Sequence, residues 1–502
     1  MAAETQPGTT AVASSADTKF FGHPRGLATL FMTELWERFN YYGMRALLIL
    51  YMTAPVATGG LGFDVVQAGA VYGLVTASVY MLSVPGGWIA DRFIGQRRAV
   101  LYGGIVIAAG ALSLSAPGFA FFYGGLILIV LGTGLLKPNV STIVGQLYGP
   151  NDPRRDAGFS IYYMGVNLGG FLAPLACGWI AAQWTWRAGF AVAGIGMIAG
   201  LIQYSFGDKH LGDAGKAPAP AKDASEQAAN RRLLSISLLT IVGLAVLAFI
   251  LNSTGIANID AQFLSNALGF VLLATVAGFF IWVLFLGSWE PVDRKRLMAV
   301  LCLFVASSVF WSIFEQAGST LNLFAQRNTE TSVFGFDFPP SWLQSLNSLF
   351  IISFAPLFAW LWTALGSREP SSPAKFVLGL LNAGGGFLLL VGAASIAETG
   401  VRVSVLWLTG VYLLHTFGEL CLSPVGMSAM TKLAPQGMQG LLMGVFFLSI
   451  SVGNYMGGRV ASLYESFSLP NLFLVTGLFG VGAAILLAVL VNPIKKLMGG
   501  VK

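Results

Sequence analysis

The chain has 502 residues, of which 55% are hydrophobic and only 10% are Asp, Glu, Lys or Arg. A soluble globular domain carries about 25% charged residues, so this composition excludes a soluble enzyme, and the excess of apolar residues excludes disorder. The net charge of +6 would suit an anionic partner, but the placement of the charges explains it without nucleic acid.

A membrane-spanning helix needs about 20 mostly apolar residues. Fourteen stretches meet that length: 27–53, 65–90, 99–116, 120–148, 157–180, 188–206, 233–252, 264–287, 297–324, 342–365, 375–396, 403–431, 438–463 and 471–492. They are too long and continuous for barrel strands. The first 18 residues are polar and small, which predicts no cleaved signal peptide and a first helix that anchors the chain.

The first helix contains ELWERFNYYGMR. At about 100° per residue, Glu34, Glu37, Arg38, Tyr41 and Arg45 share an arc of roughly 100°. Glu34 and Arg38 are spaced i, i+4, as are Tyr41 and Arg45, so pairing within the helix is available. Such a stripe predicts the wall of a wet cavity. In the fourth helix Lys137 precedes Pro138, which removes a backbone donor. A charge beside that weakened turn suits a bending element lining a cavity. The fifth helix carries Asn167, the ninth Glu315, and the tenth Asn347. The twelfth carries Glu419, with His415 and Ser423 one turn to either side. Buried amides need partners; helix packing and a binding role remain equal alternatives for Asn167 and Asn347. His415 suits helix packing at least as well as proton relay. Cys177, Cys302 and Cys421 read as small apolar residues, with neither a disulfide framework nor a metal site.

Of the 28 Lys and Arg, 21 fall in loops on the side of the N-terminus; Arg187, Arg327, Arg402 and Arg459 lie opposite. The positive-inside rule then places both termini in the cytoplasm. The remaining three bases, Arg38, Arg45 and Lys137, lie inside helices with the acids Glu34, Glu37, Glu315 and Glu419. Left unpaired, these seven groups would cost on the order of 20 kcal/mol, so they must face one another or water. They fall on helices of both chain halves, and alternating-access transporters place substrate and coupling sites between halves, near the midplane. The Ala/Pro/Lys-rich segment 207–232 reads as a flexible cytoplasmic linker. The expected organisation is a cytoplasmic tail (1–24), a six-helix bundle (25–206), the linker, a two-helix insert (233–290), a second six-helix bundle (291–494) and a tail (495–502).

GGWIADRFIGQRR, from Gly86 to Arg98, resembles the loop motif of the major facilitator superfamily. The run from Glu34 to Gly43, ELWERFNYYG, resembles the ExxERFxYYG signature of the proton-dependent oligopeptide transporter family. GTGLLKPNVST and SIYYMGVNLGGFLAP are similar to that family's fourth- and fifth-helix signatures, and the resemblance covers about residues 24–492. It implies an all-α membrane protein with the major facilitator fold, two six-helix bundles and two additional helices between them. It also implies proton-coupled import of di- and tripeptides, held by their termini. Arg45 and Lys137 then match the side that takes the peptide carboxylate. Glu419, with Asn167 and Asn347, matches the side that takes the amino group. Tyr41, Tyr42 and Tyr80 match pocket phenols, and Glu34, Glu37, Arg38, Lys137 and Glu315 match the coupling and gating network. Trp311, Phe314 and Trp342 serve as apolar walls, with Ser423 and Phe446 among the substrate contacts. Phe446 stands where several members carry Trp, and the second helix lacks the His of animal members, so coupling rests on carboxylates.

In the mechanism this implies, protonation of Glu37 or Glu315 frees a cation for the peptide carboxylate. Glu315 and Lys137 tie the extracellular side when the protein faces inward. Coupled sites share their titration, so the sequence leaves open which acid takes the proton. The expected partners are di- and tripeptides, protons and the lipid bilayer, with no nucleic acid and no cofactor. The expected state is a monomer in the cell (inner) membrane. A same-fold carrier of nitrate, an amino-acid conjugate or a drug is the alternative; a nitrate carrier needs no acid opposite its cation, and Glu419 supplies one. An intramembrane enzyme would need a nucleophile or metal constellation that the sequence does not present.

Overall fold

The structure, a computed structural model, describes residues 17–149, 152–218, 223–436 and 438–500. Its helices are α1 (Arg25–Thr53), α2 (Val65–Met81), α3 (Ser83–Ile89), α4 (Gln96–Leu114), α5 (Phe119–Gln146), α6 (Arg155–Gln183), α7 (Trp186–Gly207), α8 (Ala224–Ser253), α9 (Ala261–Ile281), α10 (Pro291–Phe314) and α11 (Thr320–Asn328). A two-stranded hairpin follows, β1 (Ser332–Val333) with β2 (Phe336–Asp337), turning through Phe334 and Gly335 at φ 52° and 80°. Then come α12 (Ser345–Leu365), α13 (Ser372–Ala397), α14 (Leu406–Leu433), α15 (Gln439–Ala461) and α16 (Leu469–Leu497).

Every one of the fourteen expected spans is helical. Twelve stretches among the described residues are long and apolar enough to cross a membrane. The other two are α1 and α14, of 29 and 28 residues, which carry the ionisable groups Glu34, Glu37, Arg38, Arg45 and Glu419. Two spans are interrupted. The second passes from α2 through α3 into a π turn at Ala90–Ile94. The ninth passes from α10 through a 3-10 turn at Glu315–Gly318 into α11. Glu315, expected inside a continuous helix, therefore sits at a break, where backbone groups are free to bond side chains.

The chain divides into two compact units. The first takes the described residues of Met1–Tyr41, Leu82–Gly170 and Ala193–Ile236; the second takes those of Tyr42–Met81, Phe171–Val192 and Ser237–Lys502. The stripe on α1 is thereby shared, with Glu34, Glu37, Arg38 and Tyr41 in the first unit and Tyr42 and Arg45 in the second.

The core of the first unit packs Leu27 and Leu30 of α1 against Val100 and Ile107 of α4, Leu136, Val140 and Ile143 of α5, and Met197 and Tyr204 of α7. The segment expected to be a flexible linker is bound over its first part. Arg97 donates to the carbonyls of Gly212 and Ala214 at 2.5 and 2.6 Å and pairs with Asp208 at 3.3 Å, while the Gln146 side chain accepts from the Gly215 N–H at 2.7 Å. α8 also starts earlier than its apolar stretch. The Asp223 carboxylate accepts from the Glu226 N–H at 2.7 Å, and Glu226 pairs with Arg92 at 2.7 Å. Such a side-chain cap satisfies the first orphan donors of a helix. Beyond that start α8 buries no residue. A helix apolar all round without protein cover needs lipid around it.

In the second unit α10 packs on α15 and α16, α13 on α14 and α16, and α2 on α15 and α9. Cys177 and Cys421 are buried and Cys302 is half-buried, all as free thiols.

Candidate functional site

Polar side chains in apolar helices have to find one another, and in this chain they do so in each unit. In the first unit α1 presents Glu34, Glu37 and Arg38, none more than 3% exposed. Arg38 closes a fork on Glu37, with Nε to Oε2 at 2.5 Å and Nη2 to Oε1 at 2.7 Å. The expected i, i+4 pair is present but longer, with Arg38 Nε 3.4 Å from Glu34 Oε1. The second oxygen of Glu34 accepts from the Tyr162 hydroxyl of α6 at 2.6 Å. α6 comes this close because Gly169 faces α1 without a side chain; a Cβ there would lie 2.3 Å from the Leu35 carbonyl oxygen. The Arg38 guanidinium also lies over the Tyr41 ring, 5.0 Å from its centroid.

Lys137 is half-buried on α5, which runs unbroken through Pro138, and it acts electrostatically on Glu34. The Asn139 amide takes the Leu135 carbonyl at 2.6 Å, one of the local bonds beside the proline. Asn167, 5% exposed, donates to the Tyr163 carbonyl of its own helix at 3.0 Å.

In the second unit Arg45 pairs with Glu315 Oε2 at 2.8 Å and reaches the Glu315 carbonyl at 3.3 Å. Its Nε donates to the Tyr72 hydroxyl of α2 at 2.8 Å. The guanidinium stands over the Tyr42 ring, 5.8 Å from the centroid. The 3-10 turn carrying Glu315 is held from several sides. The Tyr412 hydroxyl donates to the Ala317 carbonyl at 3.3 Å, and Asn322 at the start of α11 donates to the Ala46 carbonyl at 2.9 Å. Gly318 is required in that turn, since a Cβ there would lie 2.0 Å from the Tyr72 hydroxyl and 2.7 Å from Arg45 Nε. Glu315 thus pairs through its own carboxylate with Arg45, whereas the sequence reading had tied it to Lys137.

Glu419 accepts from the Asn347 amide at 3.1 Å, and the same amide donates to Thr416 at 3.0 Å. Glu315 and Arg45 both act electrostatically on Glu419. One buried region of the second unit therefore holds a cation, two acids and an amide. His415 shares a hydrogen bond with the Ala383 carbonyl at 3.2 Å and lies between the Phe314 and Phe387 rings. It packs helices and does not touch Glu419 by any hydrogen bond among the described residues.

The remaining expected residues are placed less centrally. Trp311 is buried edge-on against Phe310 and Phe314. Tyr80 and Ser423 are half-buried on α2 and α14. Phe446 is 1% exposed and packs over Gly426, so it presents no surface to a solute in this structure. Trp342 anchors the start of α12 by donating to the Leu175 carbonyl at 3.0 Å. Sequence reasoning missed the roles of Tyr72, Tyr162 and Thr416. A signal existed for the two tyrosines: a buried phenol needs a partner, and α1 has more charge than it can pair within itself.

Known proteins resemble this chain over nearly its whole length. A family model described as POT family matches residues 97–475. The peptide transporter YePEPT of Yersinia enterocolitica subsp. palearctica is 41% identical over 495 residues, covering 95% of this chain and 96% of the relative. A di-/tripeptide transporter of Lactococcus lactis subsp. cremoris is 37% identical over 497 residues, covering 97% and 99%. A crystal structure of the peptide transporter POT in complex with sulfate superposes with a TM-score of 0.92 at 41% identity, covering 99% of this chain and 100% of that one. The chain therefore belongs to the POT family and has its all-helical, multi-pass membrane fold of the major facilitator type.

Proposed function

We propose that this chain is a proton-coupled symporter that carries di- and tripeptides across the cell membrane by alternating access. The family and its curated relatives are transporters, and the relatives named above are peptide and di-/tripeptide transporters. The observation that carries the reading is the Arg45–Glu315 pair beside Glu419 and Asn347. A zwitterionic peptide needs a cation for its carboxylate and an acid for its ammonium. Here the cation is covered by a removable anion. Protonation of Glu315 discharges that anion and leaves Arg45 for the peptide carboxylate, while Glu419 and Asn347 suit the amino end. Lys137 adds to the cationic side, and Glu34, Glu37 and Arg38 complete the proton-coupling set. Recognition of the two termini alone leaves side-chain choice loose.

The same reading takes the chain as a monomer with both termini in the cytoplasm, supported by the 21 Lys and Arg on one side of the membrane under the positive-inside rule. It needs no cofactor besides the proton. Uptake of labelled dialanine into proteoliposomes, with and without an inward proton gradient at matched membrane potential, tests it. Gradient-dependent uptake blocked by excess unlabelled peptide is expected. No uptake by folded protein would move the cargo to another zwitterionic or anionic solute.

A further inference from the structure

A pocket of about 430 Å³ opens in the second unit where α2 and α9 begin and α15 ends. Its wall includes Val66 of α2, Gln262 of α9, Arg459 of α15, and Ser462, Leu463 and Ser466 just beyond α15. One to two turns further in, α9 lies hard against α15: a Cβ on Gly269 would stand 2.3 Å from the Tyr455 hydroxyl. None of these residues belongs to the proposed peptide site.

Arg459 is one of the four Lys or Arg that lie opposite the side of the N-terminus. A cation there runs against the positive-inside bias. Arg327, another of the four, is balanced by Glu465 at 2.6 Å. Arg459 pairs with no carboxylate among the described residues. Its Nη1 donates to Asn266 Oδ1 at 3.0 Å, and the rest of the guanidinium fork is left for other acceptors. The acids at the heads of α2 and α9 are committed to those helices. Asp64 accepts from the Gln67 N–H at 2.7 Å, and Asp260 from the Phe263 N–H at 2.8 Å; each carboxylate balances a positive helix end. The Gln262 amide donates to Asn266 at 3.4 Å, while its Oε1 is buried with no donor among the described residues. A buried acceptor of this kind requires a partner. An occupant must therefore bring an anionic oxygen to Arg459 and a hydrogen-bond donor to Gln262. Val66 and Leu463 of the wall, and Phe263 beside it, are exposed apolar residues, which suits an occupant with hydrocarbon attached.

We propose that this pocket binds the head of a glycerol-headed anionic phospholipid of the outer leaflet, its phosphodiester on Arg459 and a head-group hydroxyl donating to Gln262. The leaflet follows from the orientation given above; the site itself is independent of the cargo. A planar guanidinium fork matches a pair of phosphate oxygens, and the single negative charge of a phosphodiester matches the single uncompensated cation. A lipid so held ties α9, the second helix of the insert, to α2 and α15.

Native mass spectrometry of the purified, delipidated full chain tests this, with phosphatidylglycerol, phosphatidylcholine or glycerol 3-phosphate added at one concentration. Phosphatidylcholine keeps the phosphodiester but has no head-group donor and no net charge. Glycerol 3-phosphate keeps the head and lacks the chains. Phosphatidylglycerol is expected to bind more tightly than phosphatidylcholine, and glycerol 3-phosphate not to be retained. Arg459→Gln removes a charge-assisted hydrogen bond and is expected to weaken phosphatidylglycerol binding about tenfold. Gln262→Leu is expected to narrow the preference for phosphatidylglycerol while leaving phosphatidylcholine binding unchanged. The two variants are read separately, so either one suffices if the other fails to fold. Phosphatidylglycerol binding that is the same in Arg459→Gln as in the unsubstituted chain overturns the proposal, as does equal binding of the two lipids by the unsubstituted chain. Glycerol 3-phosphate held as tightly as the lipid also overturns it, in favour of a site for a soluble phosphate.

Discussion

Arg45 meets three oxygens: a carboxylate, a carbonyl and a phenol. Removing one member of such a buried pair strands the other charge, at a cost of about 3–5 kcal/mol. Glu315→Ala is therefore expected to destabilise the chain by that order, and adding Arg45→Ala to recover part of the loss. Thermal unfolding of the four chains in one detergent measures the coupling, and strictly additive losses would reject it. Function makes a separate demand on the charged side chains. Glu37→Gln and Lys137→Ala are each expected to abolish gradient-driven peptide accumulation, while exchange of labelled for unlabelled peptide partly survives in at least one. Intact accumulation in both would remove these residues from the coupling network.

At the scale of elements, the 3-10 turn between α10 and α11 is the feature that positions Glu315. Gly318→Ala drives a methyl against Tyr72 and Arg45, an overpacking that costs about 1–3 kcal/mol. A lowered melting temperature together with weakened dialanine affinity is expected; unchanged affinity would separate the turn from the site. The helical spans were legible because length and hydropathy alone demand them. The polar stripe of α1 was legible because 3.6-residue periodicity groups its charges. The choice of partner was not. Periodicity offered Arg38 to Glu34, whereas the side chains put Glu37 into the fork and gave Glu34 to a tyrosine 128 residues away. Likewise the break at Glu315 has no proline to announce it, and the bound part of the 207–232 segment depends on Arg97 finding backbone carbonyls that composition does not mark. Phe446 shows the limit from the other side: a position that matches a pocket residue by resemblance is filled here by a ring packed into a neighbouring glycine.

For the whole molecule, acid sensitivity can be assigned at the junction of the N-terminal segment, α5 and α6. His23 and the Tyr148 hydroxyl lie 2.9 Å apart, with Asp152 and Arg154 paired at 2.7 Å nearby. Burial first, and then the Arg154 charge, hold the imidazole below its ordinary value, and burial pushes Tyr148 up to about 12, so the phenol keeps its proton. A depressed imidazole favours the neutral form. Its contribution is full above the ordinary value of about 6.5 and is lost as pH falls through the folded-state value. The unsubstituted chain is expected to lose stability on acidification more steeply than His23→Gln; parallel curves would clear His23.

The bareness of α8 has a consequence for sequence change. Past Glu226, which pairs with Arg92, the helix buries no residue and answers mainly to the medium around it. Leu239, Leu244 and Phe249, all more than half exposed, are free to become any side chain of similar oil solubility. In a saturation mutational scan read out by peptide-dependent growth, this span would tolerate apolar exchange at nearly every position and reject charges throughout. The polar stripe of α1 would show the reverse pattern, intolerant at each of its polar positions.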